Sequence, residues 1–341
     1  MSHNRVALFH NTPVMAKHVP PRGSRIPETP VRITECQTYL EESGIWSECD
    51  THLVTAPLPE PTIVAEYGPD FIHKAERIAA RDGDVFLSAD SWTAARIAAQ
   101  AACDAALHSW HTKQNSFALV RPPGHHCFDV PAGFCLMNNV ALAAKAVLAM
   151  GARRVAIVDW DYHFGDGTAK TFLGDERVMF VSLHAAKTID GCPTYPASPL
   201  KGDALLEITQ GRSWNIQWAR DNADDVAWAY AFKHVLLPAL SRFEPDLVLV
   251  SAGYDAVKGD TLAGMNVSPA AFGSAAASLK EVGVPVCAVL EGGYNPALLA
   301  ACVGHTIRGL AGHGHDAWHC NDLPAGEHQT VVDALKIRLT N

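Results

Sequence analysis

The chain contains no Cys-x-x-Cys pair, no long block of lysine and arginine, and no apolar run of membrane-spanning length. Its nine cysteines stand apart at 36, 49, 103, 127, 135, 192, 287, 302 and 320. Their scatter and odd number argue against a disulfide framework and suit a reducing compartment. Against 27 basic residues there are 36 acidic ones, a formal net charge of −9, and the sequence pI is near 6.0. A nucleic-acid partner or an anionic membrane surface is therefore not expected, whereas a small cationic or neutral substrate is compatible. Met1-Ser2-His3-Asn4 leads straight into Arg5-Val6-Ala7-Leu8-Phe9 without a basic and apolar leader. A soluble cytoplasmic protein is the expectation.

What is present is an apolar chain, 48% hydrophobic over 341 residues, enough for one large core or two modest ones. Short apolar runs alternate with alanine-rich stretches, the rhythm of an α/β fold: a central, mostly parallel sheet with helices on both faces. Strands are expected at 5–9, 116–120, 154–159, 178–183, 246–252 and 285–290, and helices at 91–109, 138–150, 223–240, 268–281 and 296–309. Asn295 followed by Pro296 is a start signal for the last helix. Five prolines and no periodicity make 10–32 a surface loop, ordered or semi-ordered, and 312–341 reads as a polar C-terminal segment. Within it, Gly312-His313-Gly314-His315 reads as an exposed tail. Nothing divides the rest, so 1–341 is read as a single domain.

The most informative run is Val158-Asp159-Trp160-Asp161-Tyr162-His163. With a period of two, Asp159, Asp161 and His163 face one way and Trp160 and Tyr162 the other. Three ionisable groups closing the buried strand Arg154–Val158 need compensation. A divalent metal supplies it, with carboxylate oxygen and imidazole nitrogen as ordinary zinc ligands; a solvated strand end is the plainer alternative. The adjacent His125 and His126 follow a second apolar strand and the run Arg121-Pro122-Pro123-Gly124. Carboxyl ends of parallel strands are where ligands bind, and two close imidazoles cannot both be charged cheaply. Asp255 closes a third strand, and Glu291-Gly292-Gly293-Tyr294 a fourth, its glycines permitting a tight turn that could present the Tyr294 hydroxyl to the same crevice.

These segments together resemble the zinc-dependent deacetylases of the histone deacetylase and acetylpolyamine amidohydrolase family, of the arginase–deacetylase fold, in a class II-like bacterial form. The resemblance rests on Arg121-Pro-Pro-Gly-His-His126, Gly133-Phe134-Cys135 with Asn138-Asn139, and Asp159-Trp-Asp-Tyr-His163 running into Gly165-Asp166-Gly167-Thr168. Ser182-Leu183-His184, Ser251-Ala-Gly-Tyr-Asp255 and Glu291-Gly-Gly-Tyr294 extend it in family order. It implies one catalytic Zn2+ on Asp161, His163 and Asp255. It implies His125 and His126 as the catalytic pair, backed by Asp159 and Asp166, with Tyr294 polarising the scissile carbonyl. It further implies structural K+ at Asp159, Asp161, His163, Ser182 and Leu183, and a substrate tunnel formed by Gly133, Phe134, Tyr195, Leu262 and Gly293.

Two departures from the family pattern stand out. Phe164 replaces a second histidine after the zinc-binding one, which should alter packing behind the site and spare the metal. The tunnel-mouth Phe-Pro of the family becomes Tyr195-Pro196. The expected reaction is hydrolysis of an N-acyl, above all N-acetyl, lysine or a related small acylated amine. N-acetylpolyamine hydrolysis is the alternative. Against strict polyamine use, Leu262 occupies the position of an acidic gatekeeper, and the 120 residues before Arg121 leave no room for the insertion of bacterial polyamine enzymes. A non-catalytic, metal-dependent acyl-lysine binding module is the reading of another class. The oligomeric state stays open, a homo-oligomer being compatible.

Overall fold

The computed structural model describes residues 5–80, 83–186, 188–189, 192–193, 213–218, 222–318 and 322–340. Eight strands form one sheet in the order Asp50–Leu53, Ala7–His10, Ser116–Leu119, Val286–Leu290, Leu247–Ala252, Val155–Asp159, Val178–Ala185 and Ser213–Trp218. Every pairing in it is parallel. The five strands from Ser116–Leu119 to Val178–Ala185 are buried at every position, as a sheet covered on both faces requires.

All six expected strands are present within a few residues. Within this sheet the two strands without a counterpart in the sequence reading, Asp50–Leu53 and Ser213–Trp218, are its two edges, and Thr188–Ile189 pairs antiparallel with Cys192–Pro193 apart from it. An edge strand has one neighbour and remains partly solvated, so its sequence need not be continuously apolar. Asp-Thr-His-Leu alternates half-buried with exposed residues and carries no buried-strand signature.

Helix signals hold where side-chain caps supply them. Asn138 accepts from Ala141 N at 3.0 Å, Ser268 from Ala271 N at 3.3 Å and Asn295 from Leu298 N at 3.4 Å, each capping the helix that follows. The helix expected at 223–240 is Asp225–Ala231, a π-helical turn Phe232–Leu236, and Leu237–Phe243. Pro238 lacks the N–H that would reach back one α-turn, and the wider turn just before it accommodates that loss.

Two expectations about the ends need correction. The 10–32 segment is not wholly a surface loop: Thr12–Met15 is a helical turn, and Met15, His18 and Glu28 are buried. The 312–341 segment carries the helix Gly326–Thr340, which buries His328, Val332 and Leu335. His315 is no free tail either, since its Nε2 lies 2.9 Å from His305 Nδ1. The seven cysteines whose side chains are described are buried and unpaired with one another. Among the described residues no helix is long and apolar enough to cross a membrane.

His18 adds a pH term to stability. Burial dominates its environment and lowers its pKa to about 4 from an ordinary 6.5, against the pull of Glu28. Between those values the unfolded chain binds a proton that the folded chain refuses, so stability should rise with pH through this window and fall on acidification. His18→Gln should remove one proton's worth of that slope. Urea midpoints of both proteins from about pH 7 to 4 would show it, and parallel curves would exclude it.

Candidate active site

Ser116–Leu119, Val286–Leu290, Leu247–Ala252 and Val155–Asp159 are consecutive neighbours in the sheet, and their carboxyl ends carry all four chemical segments. Parallel strands place those ends on one rim, so segments up to about 170 residues apart in sequence meet there. After Asp159 the chain leaves the strand, yet the expected alternation persists in what each side chain meets. Trp160 packs into the core against Phe272, while Asp161 and His163 turn to the rim.

Asp161, His163 and Asp255 each offer a ligand atom within 4.8 Å of the others. His163 Nδ1 is 3.1 Å from Asp161 Oδ1 and 2.9 Å from Asp255 Oδ2. One ring N–H cannot serve both carboxylates, and Asp255 Oδ2 is buried without an aligned hydrogen-bond donor. Burial and then neighbouring Asp161 raise the Asp255 pKa to about 7, while His163, despite burial, is raised to about 10 by Asp255 and Asp161. Two carboxylates and an imidazole converging this closely are a donor set that fits Zn2+. The backbone leaves room for nothing else: a Cβ at Gly253 would stand 1.9 Å from Asp161 Oδ2, and one at Gly292 would stand 2.5 Å from it.

Beside this cluster, His125 and His126 lie with ring centroids 4.1 Å apart and their planes tilted by 45°. His125 Nδ1 donates to Asp159 Oδ2 at 3.0 Å and His126 Nδ1 to Asp166 Oδ1 at 2.8 Å. The two environments separate the pair. Burial would depress His125, but Asp161 and Asp159 outweigh it and hold its pKa well above the usual value. Burial, then the neighbouring His125, lowers His126 to about 4 against the opposing Asp166. Lys170 Nζ, 2.7 Å from the other Asp166 oxygen, shares that carboxylate and weakens its hold on His126. The surroundings thus favour the charged form of His125 and the neutral form of His126.

Tyr294 is 7% exposed, its ring edge-on to Phe134 with centroids 5.7 Å apart. Burial, then nearby Asp255, raises its pKa, so the phenol stays a proton donor. A histone deacetylase domain model matches residues 26–310 of this chain. The chain belongs to the histone deacetylase family. Its relatives within the family include Histone deacetylase 15 of Arabidopsis thaliana, 37% identical over 75% of this chain and 47% of the plant protein. Polyamine deacetylase HDAC10 of Mus musculus is 35% identical over 84% of this chain and 45% of its own length. The chain therefore spans about half the length of these two curated relatives. An uncharacterised Synechocystis protein, slr0245, matches at 35% over 84% of this chain and 94% of its own. The crystal structure of the HDA15 HD domain superposes with a TM-score of 0.87 at 30% identity, covering 98% of this chain and 95% of the other. The fold is the arginase–deacetylase fold expected.

In this deacetylase-family site the remaining assigned residues fall as follows. Gly133 and Phe134 both adopt positive φ, 50° and 66°, the second uncommon for a bulky residue and held by a hydrogen bond from its N–H to Asp84 O. Leu262 is half-exposed on the rim. Gly293, at φ 114°, leaves its carbonyl to Arg32 Nε at 2.6 Å. Tyr195 lies outside the described residues. Ser182 is buried in register beside Asp159, its hydroxyl 2.8 Å from His184 Nδ1, and Leu183 follows it in the same strand. Phe164 packs its ring 4.7 Å from that of His184 and 6.2 Å from Phe180, filling space behind the site.

Sequence reasoning missed a buried ionic group beneath this machinery. Glu28 accepts from Arg121 through both oxygens, at 2.6 and 2.8 Å, and from Arg32 Nη1 at 2.9 Å. Burial opposes its charge, but Arg121 and then Arg32 keep its pKa below the ordinary value. Arg121 opens the His125–His126 segment, and Arg32 also binds the carbonyls of Gly293 and Glu291. The only hint in the sequence was the i,i+4 spacing of Glu28 and Arg32 inside a proline-rich stretch. Glu291 is a second such residue: its Oε2 accepts the backbone N–H groups of Gly124 and His125, and burial raises its pKa to about 7. Glu28→Gln would leave two buried guanidiniums without their counter-charge, at a cost of about 3–5 kcal/mol. A lowered urea midpoint should report it; an unchanged one would show that the arginines find other partners.

Proposed function

We propose that this protein hydrolyses the amide of N-acetylated lysine, or of a related small acylated amine, with Zn2+ held by Asp161, His163 and Asp255. The observation carrying this reading is the convergence, on one rim, of a three-ligand cluster, two adjacent histidines each hydrogen-bonded to its own carboxylate, and a buried tyrosine. Bound Zn2+ would supply Lewis acidity, bringing the pKa of water from 15.7 toward about 7 and polarising a carbonyl.

The chain's own groups do the rest. His126, neutral with Nδ1–H directed to Asp166, has its Nε2 lone pair as the base that takes a proton from water. The same nitrogen then returns a proton to the departing amine. His125, charged and tied to Asp159, supports negative charge as it develops on the carbonyl oxygen. Tyr294 donates its hydroxyl to that oxygen, a contact that strengthens in the transition state. Phe134 shapes an apolar slot that excludes water from the methylenes leading to the amide. A K+ ion at Asp159, Asp161, His163, Ser182 and Leu183 would offset carboxylate charge on this strand pair, and the buried, in-register Asp159 and Ser182 support that placement.

An N-acetylpolyamine is the second substrate reading, favoured by the likeness to the mouse polyamine deacetylase; the half-exposed, uncharged Leu262 at the rim favours acyl-lysine. Purified protein loaded with Zn2+ should hydrolyse an acetyl-lysine peptide faster than acetylputrescine or acetylspermidine. The reverse order would transfer the assignment to polyamines. Full zinc content without turnover of any of the three would leave a binding module. Chelation should abolish turnover, and added Zn2+ should restore it.

A further inference from the structure

The loop between Leu247–Ala252 and Pro269–Lys280 carries the half-exposed Leu262 on the rim, and in its bend stands Asp260. An aspartate that merely turns its own loop needs one oxygen, and Asp260 Oδ1 does that work, accepting from Leu262 N at 2.9 Å and Ala263 N at 3.2 Å. The other oxygen reaches a different loop. Asp260 Oδ2 accepts the N–H of Tyr294 at 2.6 Å and that of Asn295 at 3.1 Å. The next residue, Thr261, donates its hydroxyl to the Tyr294 carbonyl at 2.8 Å, and Asn295 Nδ2 donates back to Gly259 O at 3.1 Å.

The single peptide group joining Gly293 to Tyr294 is therefore gripped at both ends. Its carbonyl oxygen meets the Arg32 guanidinium and its N–H meets the Asp260 carboxylate. Both are charge-assisted bonds, about twice as strong as neutral ones, and of opposite sign, so each opposes rotation of the peptide plane. That grip matters here because Gly293 has no side chain to restrict the rotation. The orientation of this plane sets the direction of the Tyr294 Cα–Cβ bond, and through it the place of the hydroxyl.

We propose that Asp260 is a positioning residue for Tyr294 and ties the substrate-facing rim at Leu262 to the group that polarises the acyl carbonyl. This inference rests on the reading of Tyr294 as carbonyl donor. Loss of Asp260 then acts in two separable ways. It frees the Gly293–Tyr294 peptide, which lowers kcat, and it loosens the rim loop, which raises KM.

The test is a double-mutant cycle of Asp260→Ala and Tyr294→Phe on an acetyl-lysine peptide, with zinc content measured in all four proteins. D260A should lower kcat about 10–100-fold in the parent, as outer-shell losses do, and less than about threefold in Y294F, where no hydroxyl remains to misplace. Its effect on KM should be the same in both backgrounds, and zinc content should be unchanged. An equal kcat loss in both backgrounds, an unaltered kcat in the parent, or a loss of zinc would overturn the role of Asp260 while leaving Tyr294 as donor. Near-normal turnover of Y294F would overturn the donor reading, and this inference with it. If D260A does not fold, Thr261→Val, which removes only the bond to the Tyr294 carbonyl, enters the same cycle with the same required non-additivity.

Discussion

Asp255→Ala is expected to give a folded protein that retains little zinc and whose turnover falls by about three decades or more. The size follows from what the metal contributes: Lewis-acid stabilisation is worth several kcal/mol, and each 1.36 kcal/mol is tenfold in rate. Removing Asp255 leaves one carboxylate and one imidazole facing the ion, and also removes the acceptor for Tyr162 N at 2.8 Å. Circular dichroism would establish folding, and metal analysis with initial rates would establish the loss. Full zinc content with undiminished turnover in folded D255A would exclude Asp161, His163 and Asp255 as the zinc ligands.

Tyr294→Phe is the second large effect. It removes one oxygen atom, at a position where burial and Asp255 keep the phenol protonated. Loss of an oxyanion donor costs about 2.7–4 kcal/mol, or two to three decades in kcat. The ring packing against Phe134 survives, so stability and zinc content should be close to those of the parent. The loss should fall on kcat and kcat/KM alike, since the contact is made chiefly in the transition state. Rates within a factor of a few of the parent on every accepted substrate would remove Tyr294 from the carbonyl.

Legibility in the sequence followed burial and adjacency. Val155–Asp159 and Leu247–Ala252 declare themselves because a central parallel strand must be apolar on both faces. The chemical residues were legible because each follows such a strand within a few positions, where the fold leaves charged groups only for ligands. Asp50–Leu53 and Ser213–Trp218 were not, because an edge strand answers to one neighbour and to solvent. The roles of Glu28, Arg32 and Asp260 were not legible for another reason. Their meaning lies in partners such as Gly293 O, 261 residues from Arg32, and no local pattern encodes such a partner. Proline density made 10–32 read as a surface loop. Yet a proline-rich segment can still bury a carboxylate when two arginines wait for it.

The tie between Arg32 and Gly293 also has a meaning for how the protein comes into being. During synthesis, Arg32 leaves the ribosome well ahead of its partner, since the carbonyl it binds emerges 261 residues later. At about 5–20 residues per second that is a wait of roughly ten seconds to a minute. Through that interval Arg32, destined for the interior, lacks the carbonyl it will bind there. The strand Val286–Leu290, which separates Ser116–Leu119 from Leu247–Ala252 in the sheet, arrives at the end of the same interval. Until it does, the three strands on one side of it have no link to the four on the other, and the rim that carries the candidate site closes only when that last central strand arrives.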